Sequence, residues 1–118
     1  MYHHAARLRS LLAEPRLAEF FGAVWDEVLV PICGAYNGAG EKDNFVDNHM
    51  DTEFPVREWR FQGSLGFGGK FRIPLALRCS VECYPEDETP ARKKTIEMAN
   101  SALTALVARF TAPVVAEV

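Results

Sequence analysis

Four cations fall at even-numbered positions of one stretch of the chain, Arg60, Lys70, Arg72 and Arg78. Guanidinium forks grip phosphate or carboxylate with two parallel hydrogen bonds and an ammonium adds a point charge, so cations gathered on one surface form a platform for a small anion. Tyr84 shares their parity and offers a ring on which a base can stack. Gly68 and Gly69 stand just before Lys70, and residues without Cβ let backbone N–H groups approach an anion closely. The plain alternatives are that the glycines serve a hairpin, a bulge or tight packing, and that the cations pair with Glu58 and Glu82 across strands. Arg92, Lys93 and Lys94 lie where basic charge opposes a helix dipole, which singles out Arg92, with Asn100 further along, as candidates to reach a ligand at a subunit boundary.

Other chemistries find less support. The run Gly63-Ser64-Leu65-Gly66-Phe67-Gly68-Gly69-Lys70 misses the phosphate-binding Walker pattern. Ser64 stands where its first glycine belongs, and Phe71 replaces the magnesium-binding hydroxyl. Asp43, Asp47, His49, Asp51 and Glu53 form an acidic cluster, and Asp47, His49 and Asp51 would share one side of an extended segment. That cluster lacks the glycine of an EF-hand loop and a second histidine spaced for zinc, so no metal is expected. Cys79 and Cys83 are roughly 13 Å apart along a strand, too far for a disulfide, and read as buried structural thiols. No residue pair has a nucleophile–base or acid–base arrangement, so neither an enzyme nor a cofactor is expected.

The elements that must position these residues are helices at both ends and a sheet between. Leu8, Leu11 and Leu12 give a first helical signal. Leu17, Phe20, Phe21, Val24, Trp25, Val28 and Ile32 then recur every three or four residues with Pro15 in the first turn. Pro31 should kink this helix and Gly34 end it. Thr89 and Pro90 open a C-terminal helix with the stripe Ile96, Ala99, Leu103, Leu106 and Phe110. From Lys70 to Tyr84 the residues alternate, with Phe71, Ile73, Leu75, Leu77, Cys79, Val81 and Cys83 on the odd side. The run is too long for one strand, which predicts a bend or strand change near Pro74. The expected fold is one α+β domain, an antiparallel sheet of about three to five strands packed on one face by the terminal helices. Residues 1–36 are helical, 37–55 a polar acidic loop, 56–84 sheet and 89–111 helix.

The 118 residues carry a net charge of −3, and hydrophobic residues make up 48%. These values fit a folded domain and argue against partnership with long nucleic acid. No apolar run reaches the roughly 20 residues of a membrane helix. Three cysteines and the lack of a leader pattern fit the cytoplasm. Two Trp and eight Phe in so short a chain suggest more aromatic surface than one helix layer covers, hence a homo-oligomer.

The segments Trp59-Arg60-Phe61-Gln62-Gly63, Gly66-Phe67-Gly68-Gly69-Lys70-Phe71 and Cys83-Tyr84-Pro85-Glu86-Asp87-Glu88-Thr89-Pro90, followed by a helix containing Asn100, resemble small proteins of tailed phages and prophages. The similarity spans roughly residues 55–106. Proteins of this size and build include the anti-Thoeris nucleotide sponges, oligomers that sequester cyclic immune signals without degrading them. The resemblance implies an accessory role in a host-cell cytoplasm and carries over no ligand residue by position. The expected function is therefore non-enzymatic binding of a small anionic or nucleotide-like ligand. The alternative is a protein-interaction module that docks on a host protein through the acidic loop or the basic sheet face.

Overall fold

The structure is a computed structural model that describes residues 14–53, 55–63, 68–73 and 79–111. The expected helix around Leu8, Leu11 and Leu12, the loop 64–67, Pro74 and Arg78 lie outside the described residues. The chain is α+β. Helix α1 (Glu14–Val24) is followed by α2 (Glu41–Met50), strands β1 (Glu58–Gln62), β2 (Gly68–Arg72) and β3 (Ser80–Cys83), and helix α3 (Pro90–Thr111). Among the described residues the strands form an antiparallel sheet of three in the order β1-β2-β3, the low end of the expected number.

Helix α1 buries Leu17, Phe20, Phe21 and Val24, and leaves Arg16 and Glu19 in solvent. It widens into a π turn over Trp25–Leu29, where the Val30 N–H reaches the Trp25 carbonyl at 3.1 Å. The cause is Pro31, which has no N–H to give and whose ring would strike the carbonyl four residues back. Gly34 then ends the helical path with φ of 70°, a left-handed conformation that glycine adopts without strain.

Residues 41–50 correct the expected acidic loop. They form helix α2, entered through Gly40 with φ of 83°. Glu41 and Asp43 occupy the first turn, where carboxylates favour the positive end of the dipole. Phe45 and His49, four residues apart, turn inward and are fully buried. The proposed one-sided set of Asp47, His49 and Asp51 therefore does not exist. His49 is inside the core and Asp47 is exposed.

The long alternating run is two strands. β2 ends at Arg72 and β3 begins at Ser80, antiparallel to it. Arg60 pairs with Lys70 and Lys70 with Glu82, while Trp59 pairs with Phe71 and Phe71 with Val81. Even residues thus face even residues across all three strands, and the predicted two-sidedness survives the turns. The odd face packs on the helices through Phe71, Ile73 and Val81, with Phe45 of α2 edge-on to Trp59 at 5.4 Å and to Phe71 at 5.5 Å. Thr89 caps α3 by accepting from the Arg92 N–H at 3.2 Å, and Ala99, Leu103, Leu106 and Phe110 are buried as the stripe predicts. Among the described residues no helix is long and apolar enough to cross a membrane.

Part of the aromatic content that suggested an oligomer is buried within the chain, while Trp59 and Phe61 are half-buried. Phe20, Phe21, Phe45, Phe71, Phe110 and Trp25 all belong to the core. Tyr36 and Met98 are the large hydrophobic side chains left exposed among the described residues.

Candidate functional site

The even face of the sheet brings together Arg60, Lys70, Arg72 and Tyr84. Lys70 Nζ lies 5.6 Å and the Arg60 guanidinium 5.9 Å from the Tyr84 ring centre, within range of cation–π attraction. Gly68 supports the ring from below, since a Cβ there would come within 2.9 Å of it. The aromatic-cationic patch expected from parity is real on these four residues.

Its charge, however, is largely balanced. Glu58 receives Arg60 Nε at 3.2 Å, Lys70 Nζ at 3.7 Å and Arg72 Nε at 3.8 Å, and Glu82 takes Arg72 Nη1 at 3.3 Å. The hydrogen bond from Arg60 holds the Glu58 carboxyl below its usual range; the nearby cations act the same way and partial burial opposes them. The same hydrogen bond holds the Arg60 guanidinium above its ordinary value. Two carboxylates therefore stand among three cations, and the plain reading of cross-strand pairing describes the ground state. Such pairs at a solvated surface contribute little to stability.

The remaining described candidates have structural partners within the chain. Gly69 is buried on the opposite face, where a Cβ would come within 2.7 Å of the Phe61 ring, so close packing accounts for it. Gly68 and Gly69 both belong to β2 and not to an anion-cradling loop. Arg92 donates from Nη1 to the Asp87 carbonyl at 2.8 Å, across the turn that precedes α3. Asn100 accepts from the Val81 N–H at 2.7 Å and donates to the Val81 carbonyl at 3.0 Å. It completes the outer edge of β3 as a neighbouring strand would, and its amide is committed there.

Two concavities were missed by sequence reasoning. One, about 200 Å³, lies beside β1 and is lined by Trp25, Tyr36, Glu41, Trp59, Arg60, Phe61 and Gln62. The other, about 550 Å³ and open, runs between α1, α2 and the end of α3. Glu19, Asp26, Glu27, Asp43 and Asp47 line it against Lys42 and Arg109, which pair with Asp26 at 2.6 Å and Glu27 at 2.9 Å. The only advance signal for either was charge and aromatic content, because their walls come from distant segments.

Cys33 is buried, whereas Cys79 and Cys83 are half-buried, which corrects the expectation of two buried thiols. Burial pushes the Cys33 and Cys79 thiols up to about 12, and Cys83 is also raised, first by burial and then by Glu88. None has the lowered pKa of a nucleophile. Among the described residues no group of three His, Cys, Asp or Glu is placed to hold a metal ion.

No protein-family model matches the chain, and neither a curated protein nor a solved structure resembles it measurably. The functional reading therefore rests on the site itself.

Proposed function

We propose that the protein is a non-enzymatic, phage-type accessory protein that binds a small anionic or nucleotide-like ligand on the even face of its sheet. The supporting observation is that Arg60 and Lys70 flank the Tyr84 ring while sharing the single carboxylate Glu58 with Arg72. A ligand phosphate takes the place of that carboxylate and engages the guanidinium forks. Sequestration of a signalling nucleotide in the host cytoplasm is the role that such binding without turnover would serve.

The test is thermal stabilisation at low salt by nucleotides and by inorganic tripolyphosphate. The ligand-induced shift should vanish when Arg60→Ala and Arg72→Ala are combined, and should grow in Glu58→Gln, which removes the carboxylate charge beside all three cations and leaves Arg72 paired only with Glu82. A shift unchanged by these substitutions, or no shift from any of these anions, overturns the reading.

A second reading draws on the open groove. Its surplus of carboxylates on α1 and α2 suits a basic segment of a host protein, which is the interaction-module alternative with the acidic segment recast as a helix. Capture of a host protein that is lost in Asp43→Asn with Asp47→Asn would favour it over the ligand reading.

A further inference from the structure

We propose that the cavity beside β1 receives the planar base of the ligand, with the sugar and phosphate directed along the strand toward Arg60 and Lys70. This inference rests on the nucleotide-like reading above and names the part of the ligand the even face leaves unaccounted for. Trp25, Tyr36, Trp59 and Phe61 converge on the cavity, and they include both tryptophans of the chain. Trp25 is buried and backs the site, so the flat π surfaces open to a stacked base are those of Tyr36, Trp59 and Phe61.

Size sharpens the assignment. About 200 Å³ holds one flat ring system, whereas whole drug-sized ligands occupy about 300–1,000 Å³. The rest of a nucleotide must therefore remain outside. Arg60 stands at the cavity and also on the cationic face, where Lys70 is its cross-strand partner. It links a ring site to a phosphate site. Glu41 and Gln62 line the same cavity and supply acceptors and a donor for the polar edge of a base.

The walls differ in exposure. Trp25 is 3% exposed and Phe45 braces both it and Trp59, at 5.4 Å ring to ring in each case. Tyr36 is 67% exposed and lies across Gly38, where a Cβ would come within 2.3 Å of the ring. Tyr36 is thus the wall residue most open to a bound ring.

The experiment titrates the full-length protein with adenosine, guanosine, cytidine, uridine and, separately, inorganic tripolyphosphate, following tryptophan fluorescence and thermal shift. At least one nucleoside should quench the indole emission. Tyr36→Ala should weaken that nucleoside and its nucleotide by about tenfold or more, the range of one lost stacking partner, and leave tripolyphosphate binding unchanged. Arg72→Ala, which lies outside the cavity, should weaken tripolyphosphate binding and leave the nucleoside unchanged. Because Tyr36 is exposed, its variant should melt as the wild type does. Gly38→Ala, which displaces the same ring, should reproduce the loss. If tripolyphosphate binds and no nucleoside quenches, the base site is refuted and the anionic face stands. If a nucleoside quenches through Tyr36 and no polyphosphate binds, the base site stands and the face is refuted.

Discussion

His49 makes the core sensitive to pH in a way that can be calculated. Its ring is fully buried among Phe21 at 4.8 Å, Phe45 at 4.3 Å, Phe71 at 5.3 Å and Trp59 at 5.9 Å. Nδ1 lies 2.8 Å from the Phe45 carbonyl, an acceptor, so the neutral ring carries its proton there and donates it. Burial pushes the pKa down from 6.5 to about 4, against the smaller effect of that hydrogen bond. The unfolded chain therefore binds a proton at a pH where the folded protein does not, and stability falls as pH drops below about 6.5. The full loss, reached below pH 4, is about 3 kcal/mol, from roughly 1.36 kcal/mol per pKa unit. Between pH 7 and pH 5 the expected loss is about 2 kcal/mol. With a urea m value of about 1.5 kcal/mol/M, the unfolding midpoint should move by about 1 M. His49→Phe keeps an aromatic ring in the cluster and removes the titration. Carboxylates and the other histidines are common to both proteins, so the difference between their pH profiles isolates His49. Equal losses in wild type and variant between these two pH values would refute the claim that burial holds the ring neutral.

Asn100→Ala should cost about 1–3 kcal/mol in chemical denaturation, because the buried Val81 loses the partners of both its backbone groups. A loss under about 0.5 kcal/mol would mean that water replaces the amide and that Asn100 is available for another role. Cys33 and Cys79 should resist iodoacetamide at about pH 8 in the native protein, where a pKa near 12 leaves about one thiol in 10,000 ionised, and should react in urea. Fast native labelling of either, read by mass spectrometry, would contradict the raised pKa values and, for Cys33, its burial.

Much of the fold was legible because it depends on period and punctuation. The stripes of α1 and α3 and the alternation through Phe71 and Val81 needed only spacing. Pro31, Gly34 and Thr89 marked local breaks and a cap through chemistry each carries alone. Helix α2 was hidden because its buried pair is Phe45 and His49, and a histidine counts as polar until its neighbours are known. Val46 and Met50, also four apart and packed against the core, were the second half of the signal. The site was half legible. Parity placed Arg60, Lys70 and Arg72 together, and it placed Glu58 and Glu82 among them by the same rule. Which pairing dominates depends on side-chain reach, which alternation does not encode. Arg92 and Asn100 were singled out by unfavourable or unexplained placement on a helix, and both turn out to serve the backbone around β3 and its exit. The cavity walls were not legible at all, since Trp25, Tyr36 and Trp59 meet only after α1 has turned at Pro31 and the chain has returned through α2 to the sheet.

Trp59 ties the stability of the core to the proposed site. Its ring meets Phe45 and His49 of α2, and it also lines the cavity beside β1. A base stacked there rests on a wall already fixed by the core, so little ordering entropy is lost at that surface on binding. The cationic side is different in kind. Arg60 and Arg72 are long, exposed side chains held by weak pairs to Glu58 and Glu82, and a ligand must break those pairs before it gains its own. Shape is therefore preorganised on the aromatic side, while charge must be exchanged on the other. Salt should accordingly weaken the phosphate contribution steeply and the stacking contribution little. A nucleoside whose affinity fell with ionic strength as steeply as that of tripolyphosphate would show that ring and anion use one electrostatic surface, and that the division of labour drawn here between Trp59 and Arg60 is wrong.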